Sequence, residues 1–319
     1  MLLNQTFFLF LGLILLIQGA DILLSAAIAL GKRYRVSDFL IGMIIVGFGT
    51  SLSELLVSVD AILKNSPDLA VGNVIGSNVS NLLLVLGFSL LISTCKINKI
   101  SKFDILFHFK IHLLFLILFV FFELNNLTGS LFIILFVIYM FICLKKQSKE
   151  VITPTSTEED FISKFISSKP LVLGLPIFIF SIFLTVLGAK LTVNSALEIS
   201  DILGISESFL GLSIIAIGTS LPEIITSIRA AFKLKSEIIL GNIIGSNIYN
   251  LLLILGITSI VGSFTYNKEI LFFEVIFLGF STFIFSLIIY FKKEVKRTFS
   301  ILFLFLYAFY LVRLYQSNF

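Results

Sequence analysis

Apolar residues fall along this chain in ten long blocks, at roughly 3–31, 38–63, 69–94, 103–122, 130–144, 170–198, 207–230, 238–262, 270–291 and 299–317, joined by short polar connections. About 20 apolar residues wound as a helix cross some 30 Å of hydrocarbon, and most of the blocks reach that length. The pattern predicts an all-α membrane protein of about ten transmembrane helices. No polar stretch is longer than about 25 residues, which leaves no room for a separate soluble domain. The first block lacks a basic start and an A-x-A cleavage site, so it reads as a span and not as a leader.

The blocks repeat. Residues 19–87 align without a gap on 188–256 at a constant offset of 169, with 26 identities in 69 positions. The identities cluster. Gly49-Thr50-Ser51-Leu52-x-Glu54 matches Gly218-Thr219-Ser220-Leu221-Pro222-Glu223, and Gly72-Asn73-x-Ile75-Gly76-Ser77-Asn78-x-x-Asn81 matches Gly241-Asn242-x-Ile244-Gly245-Ser246-Asn247-x-x-Asn250. Equivalent blocks are five spans apart, and an odd separation inserts the halves with opposite orientations. The expectation is two inverted-topology five-helix repeats, 1–146 and 170–319, with a binding site at the midplane between them. The segment 147–169, with a proline, a Ser/Thr cluster and the acidic run Glu158–Asp160, reads as a solvated cytoplasmic linker.

Charge adds orientation. Of the 23 Lys and Arg, 18 lie in connections after odd-numbered spans and 3 on the other side, so the positive-inside rule puts both termini outside the cytoplasm, in a cell (inner) membrane. With 58% hydrophobic and 13% charged residues, an ordinary soluble enzyme is excluded. The basic residues sit between spans, so the net charge of +4 points to no nucleic-acid partner. Two cysteines, Cys95 and Cys143, make no disulfide framework or metal-ligand spacing, and no H-E-x-x-H is present for an intramembrane zinc protease. The chain is read as a non-enzyme.

The chemistry lies inside the spans. Glu54 and Glu223 stand at equivalent positions near mid-membrane, where each carboxylate costs about 2.5–3.5 kcal/mol on insertion scales. Two such groups with no basic residue close in sequence point to a cation. Thr50 and Ser51 precede Glu54 by four and three residues, on the same helical face, and Thr219 and Ser220 repeat this for Glu223. Ser77 with Asn81, and Ser246 with Asn250, pair oxygens on the following helices. Glycines around the first glutamate, and Pro222 beside the second, favour a broken helix with exposed carbonyls. This oxygen-only set suits calcium, and a smaller subset suits sodium.

These paired segments resemble the two α-repeats of the sodium/calcium exchanger family, within the cation/calcium antiporter superfamily, most nearly its prokaryotic ten-helix members. The resemblance implies exchange of several sodium ions for one calcium by alternating access. It implies that Glu54 and Glu223 bridge the central sites. Thr50, Thr219, Gly47 and Ala216 would contribute through backbone carbonyls, Ser51, Ser77, Ser220 and Ser246 would line outer sodium sites, and Asn81 and Asn250 would sit at the centre. Calcium and sodium bind as transported substrates, the other partner is the lipid bilayer, no resident cofactor is expected, and a monomer is the expected form. Ser53 stands where the family usually has proline, which predicts a weaker helix break in the first repeat. Potassium-dependent exchangers carry Asp where this chain has Asn250, and proton-coupled exchangers close a G-N-x-x-E motif where it has Gly76 and Gly245. An electrogenic, potassium-independent sodium/calcium antiporter is therefore expected, with a proton-coupled exchanger of calcium or another divalent cation as the alternative.

Other polar residues carry bland readings. His108 and His112, four apart, are assigned to packing. Lys190, where the first repeat has Asp21, is assigned to snorkelling or an interhelical ion pair, Asp60 and Arg229 to the interface, Glu198 and Glu274 to solvated membrane boundaries, and Cys143 to the core.

Overall fold

In the computed structural model, residues 2–97, 100–147, 170–202, 217–261, 266 and 268–317 are described. The helices are α1 (Leu2–Arg33), α2 (Asp38–Leu63), α3 (Pro67–Ile92), α4 (Lys102–Phe121), α5 (Asn126–Gln147), α6 (Leu175–Ile202), α7 (Leu221–Phe232), α8 (Ser236–Val261), α9 (Lys268–Phe291) and α10 (Thr298–Ser317). Among the described residues, eight helices are long and apolar enough to cross a membrane, and the helix Thr298–Leu314 is a shorter apolar one. The chain is a helical, multi-pass membrane protein. The linker beyond Gln147 and the start of the expected seventh span, with Ala216, lie outside the described residues.

The duplication is visible atom by atom. The turn between α2 and α3 has Asn65 at φ 57°, and the turn between α7 and α8 has Leu234, its repeat equivalent, at φ 55°. Around them the same two bonds close the helix end: Ser66 N to Ala61 O at 2.8 Å and Asn65 N to Ile62 O at 3.0 Å, against Lys235 N to Ala230 O at 2.9 Å and Leu234 N to Ala231 O at 3.0 Å. A left-handed residue here satisfies carbonyls that the helix would otherwise leave open. Asn adopts that conformation at less cost than Leu.

The repeat-equivalent helices α3 and α8 form the centre, with 83% and 94% of their apolar windows buried, while α1, α5 and α6 keep most of theirs on the outside. Both central helices contain a π-helical segment, Asn81–Val85 and Tyr249–Ile254. Such segments are rare and tend to mark functional sites. Close approach at the centre requires glycine: a Cβ on Gly241 would lie 2.2 Å from Phe39 O, and one on Gly245 2.6 Å from Met43 O.

Outside this centre, α1 and α6 run antiparallel. A Cβ on Gly12 would lie 2.7 Å from Thr192 N, one on Gly19 2.7 Å from Thr185 N, and one on Gly188 2.4 Å from Leu16 N. With small residues at the crossing, two backbones touch over about two turns, as membrane helices pack when no hydrophobic force pulls them together. Within α1, Asp21 pairs with Arg229 of α7 at 2.8 Å and with Lys233, which caps the end of α7, at 3.4 Å. Arg229 is thus an interhelical partner, while Asp60 is exposed and pairs at 2.6 Å with Lys64, the residue that caps the end of its own helix. Lys190, the equivalent of Asp21, is exposed, as is Glu198. Glu274 lies inside α9 and is partly buried, so the solvated-boundary reading is corrected for it.

One strand pair was not foreseen. Cys95–Lys96 and Glu294–Val295 form a two-residue antiparallel ribbon joining the connections after α3 and α9. Burial of Cys95 in this ribbon pushes its thiol up to about 12.

Candidate cation-binding site

Two broken helices build the site. In α2 a short helical piece, Gly47–Thr50, ends at Ser51 (φ −72°, ψ 2°), and the chain restarts as Leu52–Leu63. In the second repeat the restart is at Ser220 (φ −87°, ψ 1°), followed by Leu221–Phe232. The two breaks have nearly the same geometry although only the second is followed by proline, Pro222. The weaker break expected in the first repeat is therefore not found. The reason is Ser53, whose hydroxyl donates to Thr50 O at 2.9 Å and so occupies the carbonyl at the break.

Each glutamate sits in the first turn of the restarted helix. There the partial positive charge of the helix start favours a carboxylate, by about 0.3–1 kcal/mol in exposed cases and more when buried. Both carboxylates are buried. The backbone is anchored from the next helix by equivalent bonds. Asn73 Nδ2 donates to Ser58 Oγ at 2.9 Å and to Glu54 O at 3.2 Å, and Asn242 Nδ2 donates to Ser227 Oγ at 3.0 Å. Asn73, Asn242, Ser58 and Ser227 were not among the expected site residues. Their signal was present, since all four are identical between repeats and the serines follow the glutamates by one helical turn.

The two halves meet here. Ser51 of the first repeat donates to Glu223 Oε1 of the second at 3.2 Å. Ser53 Oγ is 2.9 Å from Glu54 Oε2 and 3.3 Å from Thr219 O. The Ser77 and Thr219 hydroxyls are 3.4 Å apart. A Cβ on Gly47 would lie 3.3 Å from Ser246 N. Thr50 Oγ1 donates back to Val46 O at 3.1 Å or Gly47 O at 3.3 Å. On the pseudo-twofold axis, Asn78 and Asn247 donate to each other's carbonyl oxygens at 3.5 Å, and Asn250 Nδ2 donates to Asn78 Oδ1 at 3.0 Å.

The structure thus gathers Gly47, Thr50, Ser51, Glu54, Ser77, Thr219, Glu223 and Ser246 around one interior region between the repeats. Ser220, Asn81 and Asn250 are buried beside them. Within this region Glu54 Oε1, Glu223 Oε2, Ser220 Oγ, Asn250 Oδ1 and both side-chain polar atoms of Asn81 have no hydrogen-bond partner among the described residues. Buried polar atoms are nearly always paired. Oxygens left open around two carboxylates are what a cation would satisfy, and neither imidazole nor thiol is among them. Of the nearby histidine pair, His112 Nδ1 is 2.8 Å from His108 O and His108 Nε2 is 3.4 Å from Asn247 Nδ2, while His108 Nδ1 and His112 Nε2 are buried without a partner among the described residues. A small cleft lined by Phe48, Ser51, Leu52, Leu55, Tyr249 and Leu253 reaches the site at Ser51.

Comparison with known proteins shows the family. The family model described as "Sodium/calcium exchanger protein" matches residues 4–145 and 173–316. The chain is 30% identical to the sodium/calcium exchanger MaX1 of Methanosarcina acetivorans, over 96% of this chain and 97% of that one. It is 32% identical to the inner membrane protein YrbG of Escherichia coli strain K12, over 82% and 81%. A structure of the sodium-calcium exchanger NCX_Mj, soaked with sodium and strontium, superposes with a TM-score of 0.84 at 29% identity, covering 98% of this chain and 99% of that one.

Proposed function

The chain belongs to the sodium/calcium exchanger family, and we propose that it is a secondary antiporter exchanging sodium for calcium by alternating access, electrogenic and independent of potassium. The observation that carries this reading is the pair of buried glutamates from equivalent, oppositely inserted helices, each with an unpartnered carboxylate oxygen. In this reading Glu54 and Glu223 hold the central cation with the carbonyls of Thr50, Thr219, Gly47 and Ala216. Ser51, Ser77, Ser220 and Ser246 serve flanking sodium ions, and Asn81 and Asn250 complete the centre. The tightly packed α1 and α6 move against the remaining helices to change access. The protein sits in the cell inner membrane with both termini extracytoplasmic.

Charge supports an electrogenic cycle. One calcium neutralises two carboxylates, whereas three sodium ions leave the site at +1. At that stoichiometry one charge crosses per cycle, coupled to the membrane potential at about 2.3 kcal/mol per 100 mV.

The test is radiolabelled calcium uptake into sodium-loaded liposomes diluted into sodium-free buffer, with and without a pH gradient, beside Glu54→Gln and Glu223→Gln. Removing one of two carboxylate charges about 4 Å from a monovalent cation costs about 4 kcal/mol at an effective dielectric of 20, close to a thousandfold in affinity, and about twice that energy for a divalent one. Uptake that requires internal sodium and vanishes in both variants is expected. Uptake that ignores sodium and follows the pH gradient would replace this reading with proton coupling.

A further inference from the structure

The two repeats differ beside the first glutamate of the site: Ser53 stands where the second repeat has Pro222. Ser53 Oγ lies 2.9 Å from Thr50 O, 2.9 Å from Glu54 Oε2 and 3.3 Å from Thr219 O. These are three acceptors, one a carboxylate and two carbonyls, drawn from both repeats. A hydroxyl has a single hydrogen and satisfies one of them at a time. The two others, and the lone pairs of Oγ itself, stay directed into the same space. Three acceptors around one donor leave two oxygens that a cation beside Ser53 would satisfy.

We propose that Ser53 is an additional neutral ligand of the transported divalent cation, and that it raises the preference of the site for calcium over sodium. The role rests on the exchanger reading above and deepens it. Calcium takes six to eight oxygens at about 2.3–2.6 Å, so its shell has room for the Ser53 hydroxyl beside the glutamate oxygens and backbone carbonyls. Sodium manages with fewer ligands, so loss of one neutral oxygen penalises calcium more. Pro222 offers neither oxygen nor hydrogen, so the shell is one ligand richer on the side of the first repeat. Ser53 also secures the break at Thr50, and the test must separate ligation from that structural role.

The full-length protein in sodium-loaded liposomes is assayed for calcium uptake as wild type, Ser53→Ala, Ser53→Thr and Ser53→Pro, with half-saturating calcium, half-inhibiting external sodium and maximal rate measured separately. Ser53→Ala and Ser53→Pro are expected to raise half-saturating calcium about tenfold, while half-inhibiting sodium moves less than twofold. Such a loss corresponds to removing one hydrogen-bond-strength contact to a charged group. Ser53→Thr, which keeps the hydroxyl, is expected to retain the wild-type calcium dependence. Ser53→Ala matching the wild type in half-saturating calcium would overturn the assignment while leaving the exchanger intact. A fall in maximal rate shared by Ser53→Thr and Ser53→Ala would overturn it in favour of a purely structural role. Absence of sodium-dependent calcium uptake in the wild type would overturn the exchanger reading, and this role with it.

Discussion

The contact of α1 with α6 makes a quantitative demand on Gly188. A Cβ there would lie 2.4 Å from Leu16 N and 2.8 Å from Gly12 O, both backbone atoms that no rotamer change can move. Ordinary contact lies at about 3.5 Å or more, so in Gly188→Ala the two helices must separate by about 1 Å. Overpacking of this kind costs about 1–3 kcal/mol, and the rigid obstacle argues for the upper end. Alanine returns about 1 kcal/mol of helix propensity, leaving a net loss of about 2 kcal/mol. Gly72 is the control, since its Cβ would meet only Leu271 Cδ2, at 3.8 Å. Gly72→Ala should keep the propensity gain of about 1 kcal/mol and cost nothing. The variants should therefore differ by about 3 kcal/mol, or roughly 6 °C or more in melting temperature at 2–4 °C per kcal/mol. With no tryptophan in the chain, unfolding is best followed by a dye that fluoresces on reaching the buried thiols of Cys95 and Cys143. Melting of Gly188→Ala within a degree or two of Gly72→Ala would refute the claim that the backbones are in contact.

Two further outcomes follow from particular residues. Leu234 holds a left-handed conformation that its equivalent Asn65 tolerates, and its side chain is 77% exposed; Leu234→Asn should raise stability by about 1 kcal/mol and Asn65→Leu lower it by as much, and equal melting temperatures for the two would contradict the strain. Because burial holds the Cys95 thiol near 12, well above its unfolded value, the folded protein disfavours the thiolate. In a Cys143→Ala background, maleimide labelling of Cys95 should be slow at pH 7 and climb about tenfold per pH unit through pH 10; fast labelling at neutral pH would show that the ribbon leaves the thiol open.

The spans and the duplication were legible because each is written in the chain itself, one as hydropathy and the other as identities at a fixed offset. The gathering of the glutamates with their Thr and Ser neighbours was legible for the same reason, since helical spacing fixes which oxygens share a face. What escaped was tertiary in origin. Asp21 meets Arg229 across 208 positions, so no local pattern announces the pair. The ribbon at Cys95 is two residues long, too short to leave a periodicity. The break at Ser51 was underestimated because a hydroxyl replaced the effect of proline, a substitution of mechanism that residue preferences do not register. The anchoring asparagines Asn73 and Asn242 were in view as motif letters, but their bonds to Ser58 and Ser227 depend on the crossing of two helices.

Asp21 with Arg229 and Lys233 has one more consequence. The equivalent positions in the other half hold Lys190, Asp60 and Lys64, so at two of the three the sign of the charge is reversed. An exact inverted repeat has two orientations of equal energy, because inversion exchanges identical residues. Here inversion exchanges an acid for a base, and that degeneracy is lifted. A partly exposed ion pair contributes up to about 1 kcal/mol, enough to skew a two-state population about fivefold. The asymmetry between the halves is thereby a heritable trait, set by a few side chains outside the candidate site and adjustable without touching the residues gathered there.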